Sequence, residues 1–250
     1  MSSEIPTQET TRRINGNFNF IAPTIAYSLI QGEDAEALYN EVSKTMKRGV
    51  WYDEESKTLK GSSTFLAARI DRIVRSLGQR MRVATLADLS RPEIMEVIGN
   101  RFYADTPAIV FRSTRDDLGQ NKATIKELAP LIEQKTGRLR LPVLVTGFDV
   151  SPSRKSSHEL QITLREDFSV LHDERLSGEY NRKQFSTVDK DGLPNFDSKG
   201  SRTWHAISEG ISGIYLGGNL NLYSKGIHFD GSSDNGRVVL VRESAEAKNS

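Results

Sequence analysis

Between Ile214 and Tyr223 the chain reads "IYLGGNLNLY", and its side chains sort into two sets by parity. Alternate residues of a strand point to opposite faces of its sheet. One set is Ile214, Leu216, Gly218, Leu220 and Leu222; the other is Tyr215, Gly217, Asn219, Asn221 and Tyr223. The first set demands a core: each buried leucine contributes about 1.5–3 kcal/mol, and a one-residue slip of register would expose them all. The second set is poor strand material, because Asn and Gly are depleted in strands. The same palette continues through Ser224, Gly226, His228, Gly231, Ser233 and Asn235. Tyr, Ser, Gly and Asn are what antibody-type paratopes use, where tyrosine gives rigid contact area and small polar residues give adaptable hydrogen bonds. They are equally the composition of a loop-rich sheet edge. Period and composition leave both readings open.

The rest of the chain divides by texture. Asp34 is expected to cap the helix "AEALYNEVSKTMKRG", where Leu38, Val42 and Met46 recur at helical spacing and Gly49 ends the pattern. Ser63 opens "TFLAARIDRIVRSLG", with an apolar stripe of Phe65, Leu66, Ile70, Ile73 and Leu77 closed by Gly78. A short helix is predicted from Ser90 to Gly99, with Pro92 in its first turn. "NKATIKELAPLIEQKTG" reads as a helix with Ile125, Leu128 and Ile132 on one face and Pro130 inside it. "FNFIAPTIAYSLI" is expected as an N-terminal strand, "VWYDEESKTLKG" as a hairpin and "TPAIVFRST" as a buried strand. From Leu139 the segments "LRLPVLVTGFDV", "HELQITLRE" and "FSVLHD" are strand-like. The expectation is one α+β domain over residues 13–243, with helices mainly in the N-terminal half and short antiparallel strands in the C-terminal half. Residues 1–12 are expected as a flexible arm and 244–250 as a flexible tail.

Composition excludes several chemistries. With 36% hydrophobic and 27% charged residues the chain can build a packed core. A net charge of +1 gives no global argument for nucleic acid or an anionic membrane. The absence of cysteine rules out disulfides, thiolate nucleophiles and Cys-ligated zinc. No apolar run approaches the ~20 residues that span a bilayer. "MSSEIPTQETTRRING" lacks an apolar segment after a basic start, so no secretory signal peptide is expected; surface display on a cell or virion would need another route.

Motif by motif, catalysis is not indicated. His158, His172, His205 and His228 have no zinc-pair spacing, and each reads as a surface or satisfied histidine. "DKDGLPNFDSKG" offers Asp189, Asp191, Asn195 and Asp197 as oxygen ligands, but Pro194 and Gly200 stand where a calcium loop needs Gly and Glu. Asp191-Gly192 reads instead as a hairpin turn. Carboxylate pairs such as Asp173 with Glu174 carry no hydrolase signal without a measured separation. GxSxG, P-loop and dinucleotide fingerprints are absent. Arg69, Arg72 and Arg75 share a helix face, joined by Arg80 and Arg82 beyond it. A solvated face is the first reading of them and a nucleic-acid contact the alternative.

"GISGIYLGGNLNLYS", the loop after it and "NGRVVLV" resemble the variable region of a target protein of a diversity-generating retroelement, prokaryotic type. "FYADTPAIVFRST" and "DKDGLPNFDSKGSRTW" resemble upstream segments of such proteins, so the likeness covers roughly Asp189 to Val241 and thins before Phe102. In that family an error-prone reverse transcriptase randomises adenines, and Asn-type codons become Asn, Asp, Ser, Gly, Tyr or His. The resemblance implies a C-type-lectin-like fold displaying a diversified region at about 211–236. Ser212, Leu216, Leu220, Leu222, Ser224 and Gly236 to Val239 correspond to framework. The implied variable, ligand-binding positions are Tyr215, Gly217, Asn219, Asn221, Tyr223, Gly226, Ile227, His228, Gly231, Ser233 and Asn235; Phe229 is read as structural. The calcium and sugar motifs of animal lectins are missing, so no carbohydrate, metal or cofactor is implied. The expected partner is a protein, with no nucleic acid and no membrane span, and oligomeric state is left open.

Overall fold

The structure is a computed structural model that describes residues 13–21, 26–115, 121–154 and 160–242. Among the described residues the elements run in chain order from β1 (Ala26–Leu29) through α1 (Ala35–Ser43) to the hairpin β2 (Trp51–Asp53) and β3 (Thr58–Lys60). Then come α2 (Thr64–Ser76), β4 (Met81–Val83), α3 (Leu86–Leu89), α4 (Pro92–Ile98), β5 (Ala104–Phe111) and α5 (Lys122–Thr136). The remainder is β apart from two single-turn 3-10 helices, Glu174–Leu176 and Gly178–Tyr180: β6 (Val143–Pro152), β7 (Leu160–His172), β8 (Gln184–Val188), β9 (Pro194–Phe196), β10 (Arg202–Ala206), β11 (Ile211–Leu216), β12 (Leu222–Gly226) and β13 (Val239–Arg242). The α+β class expected from texture is what is observed. The expected arm, tail and His158 lie outside the described residues.

The largest sheet has eight strands in the order β7-β6-β5-β11-β12-β10-β8-β9, with β10 and β12 parallel and the other pairs antiparallel. A three-stranded sheet, β1-β13-β4, carries both ends of the described chain. The unbroken apolar run of β5 follows from burial on both faces. Its Ile109 and Phe111 join one core cluster beneath α2 and α5. Its Ala108 and Val110 join a second cluster with Leu86, Ile94, Trp204, Ile214, Leu216 and Leu222. A strand sealed on both sides reads as continuous hydrophobics rather than as alternation.

Helix starts are chemically explicit. The Ser63 hydroxyl accepts from the Leu66 N–H and caps α2. Asp71 of α2 accepts from the Val83 N–H at 2.8 Å, joining the helix to β4. Thr85 and Asp88 form a capping box on α3, a helix too short to show in the sequence period. Asp34 does not cap α1 with its side chain; its carboxylate accepts instead from the Asn15 and Asn17 N–H groups, at 2.7 and 2.8 Å. That helix ends at Ser43, well before Gly49, although Met46 is still buried. The segments read as two strands around Leu164 and Phe168 are one thirteen-residue strand, β7, with a register shift opposite Thr146 to Phe148.

The decapeptide Ile214 to Tyr223 is the main correction. It is not one strand. β11 stops at Leu216, residues 217–221 turn, and β12 begins at Leu222. The Gly217 N–H donates to the Asn221 carbonyl and the Leu220 N–H to the Gly217 carbonyl. Leu220 sits at φ +64, which costs a branched side chain strain but closes the turn. Parity does not survive a turn. Leu220 is therefore half-buried at the edge of the second cluster, and Tyr215 and Tyr223 face each other across two strands.

Candidate functional site

Four adjacent strands bring four side chains into one row. In register, Asp105 of β5 lies opposite Tyr215 of β11, Tyr215 opposite Tyr223 of β12, and Tyr223 opposite His205 of β10. The three aromatic members stack: Tyr215 on Tyr223 with centroids 5.0 Å apart, and Tyr223 on His205 at 4.7 Å. Tyr103, just before β5, meets Tyr215 edge-on at 5.9 Å. Cross-strand ring pairs of this kind contribute about 0.5–1.5 kcal/mol each beyond their burial. The row is thus rigid although its strands come from distant parts of the chain.

Above the row the segment from Ile227 to Gly236 folds over to make a cleft of about 730 Å³. Much of its path is fixed through backbone atoms. Asn121 donates to the Ile227 carbonyl at 3.1 Å, and the Phe65 N–H of α2 to the Phe229 carbonyl at 2.9 Å. The Tyr103 N–H donates to the Asn235 carbonyl, and the Gly61 N–H to the Gly236 carbonyl. The Ser233 N–H donates to the Tyr103 hydroxyl at 2.9 Å and its own hydroxyl reaches the same oxygen at 3.4 Å; further holds use side chains at Phe229, Asp230, Ser232 and Arg237. Phe229 is fully buried and stacks on Phe65 at 5.2 Å, as expected of a structural residue. Asp230 pairs with Arg48 at 2.6 Å. The Ser232 hydroxyl accepts from the Ser62 N–H at 2.6 Å, and Arg237 lies over the Phe102 ring.

Underneath, Arg112 ties the hairpin to its neighbours. Its guanidinium donates to the Ser212 hydroxyl at 2.9 Å, the Ser224 hydroxyl at 2.6 Å and the Leu176 carbonyl at 2.6 Å. Burial lowers its pKa to about 9, still above neutrality, so the buried group keeps its charge. The two serines matched to framework are therefore acceptors for one buried arginine.

The cleft floor is electrostatically unusual. Asp105 is 8% exposed, and desolvation pushes its carboxyl up to about 7 against a lowering contribution from the Ser62 hydroxyl. Tyr215 is raised by burial, then by Asp105, Tyr223 and Tyr103. His205 is lowered by burial, then by Lys225 and Arg182, which favours the neutral ring. Lys225 is exposed at the rim, its ammonium 4.8 Å from the Tyr223 centroid.

Nine of the eleven candidate positions line this cleft: Tyr215, Gly217, Asn219, Tyr223, Gly226, Ile227, His228, Gly231 and Ser233. Gly217 differs from expectation in being buried. A β-carbon there would stand 2.5 Å from Tyr223 Cε2, so the ring of one candidate covers the backbone of another. Asn221 does not reach the cleft; its side chain turns to β10 and accepts from the Thr203 N–H at 2.8 Å. Asn235 is exposed but lies off the cleft wall. Gly218, assigned inward by parity, is half-buried in the turn and lines the cleft, since the strand has ended before it. Tyr103, Asp105 and Ser232 also belong to the cleft, outside the positions the sequence points to. The i, i+2 spacing of Tyr103 and Asp105 at the head of an apolar strand was the available signal for the first two.

The other candidate sites resolve into structural contacts. Arg69 pairs with Asp149 at 3.1 Å and Arg75 with Asp71 at 2.8 Å, while Arg72 is exposed. The Asp189 carboxylate accepts from the Asp191 and Leu193 N–H groups and pairs with Arg175 at 2.5 Å, which holds the turn between β8 and β9. Asp173 is bound by Arg175 and Glu174 by His172. Among the described residues no three His, Asp or Glu side chains gather as a metal site. A smaller cavity of about 270 Å³ lies beside α2; Arg165 bridges Asp71 and Asp167 there, at 2.5 and 2.6 Å. Among the described residues no helix is long and apolar enough to cross a membrane. Comparison with family models, with curated proteins and with solved structures returned no match.

Proposed function

We propose that the chain is a ligand-binding display protein, on a C-type-lectin-type α+β fold, whose cleft residues are diversified by retroelement mutagenesis to bind protein partners. The observation that carries this reading is convergence: nine of eleven positions picked from the resemblance line a single cleft. The way the loop is held adds to it. Main-chain carbonyls at Ile227 and Asn235 take the hydrogen bonds, so their side chains can change without releasing the backbone. Most side chains that hold the loop, those of Phe229, Asp230, Ser232 and Arg237, are outside the candidate set; among the candidates Ser233 adds a long 3.4 Å hydrogen bond to the Tyr103 hydroxyl. Tyr215 and Tyr223 would supply most of the affinity, as large aromatics do at hot spots, and their stacking lowers the ordering cost of binding. The role is binding and not catalysis.

The test is the genome. A repeat near the coding sequence should match its last stretch and differ almost only at adenines, beside a reverse-transcriptase gene. The differing codons should fall on the nine candidate positions that line the cleft and spare Phe229, Asp230, Ser232 and Arg237. A complete genome without such a repeat would sink the proposal.

A further inference from the structure

We infer that the cleft takes the cationic head group of a partner side chain, an arginine guanidinium or a lysine ammonium, set against the Asp105 carboxylate between Tyr103, Tyr215 and Tyr223. The inference rests on this cleft being the ligand-binding surface. Asp105 lines the cleft floor yet is more than nine-tenths buried. Among the described residues no cation of the chain forms an ion pair with it. Its polar neighbour is Ser62, whose hydroxyl accepts from the Asp105 N–H at 2.7 Å. The other buried carboxylates have structural partners: Asp71 binds Arg75 and Arg165, Asp88 binds Arg82, Asp230 binds Arg48, and Asp34 accepts from the Asn15 and Asn17 N–H groups.

A buried carboxylate is costly unless a counter-charge and hydrogen bonds meet it. Here the space for that counter-charge is the cleft itself. The cleft volume of about 730 Å³ exceeds what one long side chain needs. The aromatic walls suit the alkyl stem of lysine or arginine, and the tyrosine hydroxyl oxygens can accept hydrogen bonds from its cationic head. A guanidinium has donors enough for both carboxylate oxygens and a neighbouring phenol. Lys225 stands at the rim over Tyr223, exposed, so it narrows the approach without filling the floor. Asp105 is also outside the candidate diversified set, which makes it one fixed charge beneath walls that vary.

The experiment is an NMR titration of the full chain with Nα-acetyl-arginine-amide and, separately, Nα-acetyl-citrulline-amide, which keeps the length and loses the charge. The arginine probe should shift the resonances of Asp105, Tyr215 and Tyr223, and the citrulline probe should bind about tenfold more weakly or worse. Asp105→Asn should bring the two probes to equal affinity. Equal affinities on the unmodified protein, shifts that map away from the cleft, or no binding of the arginine probe would each overturn the inference. The comparison of probes needs no variant, so a poorly folded Asp105→Asn leaves the test intact. Failure here alongside an adenine-differing repeat in the genome removes only the cationic specificity; cation binding without that repeat removes only the diversification.

Discussion

Replacing Asp105 with Asn should change how stability depends on pH. The carboxyl titrates near 7 in the folded chain because burial disfavours its charged form, and near 4 in the unfolded chain. A raised carboxyl pKa means that the folded state holds a proton the unfolded state has already released. Stability then falls as pH rises between the two values, by about 1.4 kcal/mol per pH unit, and levels off above the folded pKa. From the usual carboxylate value to about 7 the full span is about 4 kcal/mol, and between pH 5 and 8 it is about 3 kcal/mol. Asn has nothing to titrate. The stability of Asp105→Asn minus that of the unmodified protein should therefore become more favourable from pH 5 to pH 8 by that amount. Urea unfolding followed by tryptophan fluorescence measures it, since Trp204 is fully buried while Trp51 is exposed. Taking the difference cancels every other group that titrates alike in both proteins. A difference constant to within a few tenths of a kcal/mol across this range would refute the account of an unpaired, desolvated carboxyl.

Arg112→Ala should destabilise the protein by about 3 kcal/mol, because it leaves a cavity in the core, takes the side-chain donor from the Leu176 carbonyl and leaves the Ser212 and Ser224 hydroxyls only their bond to each other. Arg112→Lys should not restore it, since one ammonium cannot span three acceptors in a planar fork; thermal denaturation of the two variants checks both statements. Gly217→Ala should cost about 1–3 kcal/mol by pressing a methyl group on the Tyr223 ring. Combined with Tyr223→Ser that cost should largely vanish, and a double-mutant cycle showing no coupling would contradict the contact.

Local signals carried much of the fold. Ser63, the apolar stripe behind it and Gly78 bound α2, and Pro92 marks the first turn of α4. The apolar run of β5 reads as buried because helices and a second layer cover both its faces. What local signals could not carry was registration between distant strands. Strand period puts Tyr215 and Tyr223 on one face of a single strand, whereas they meet as cross-strand partners after a turn. Asp105 enters the site only because β5 pairs with a strand more than a hundred residues later. Asn221 lies off the cleft for a related reason: past Leu216, the backbone of the turn and not parity decides direction, and its amide oxygen accepts from the Thr203 N–H. Arg112 looked like the end of a strand, and its three acceptors come from three separate segments.

The loop over the cleft is held by Arg48, Ser62, Phe65, Tyr103 and Asn121, contacts that span up to 182 residues of chain. Long-range closure of this kind is made late in folding, after its docking edge exists. Synthesis runs the same way: α2, β5 and α5 leave the ribosome before β11 and β12, which then insert between β5 and β10. A segment that arrives last meets a mould already set. Its core-facing residues Ile211, Phe229, Val238 and Leu240 complete the cluster beneath α2 and α5, so changes confined to its cleft-facing positions leave that docking intact. By this logic the excised C-terminal segment has no cleft of its own, and its shape belongs to the first half of the chain.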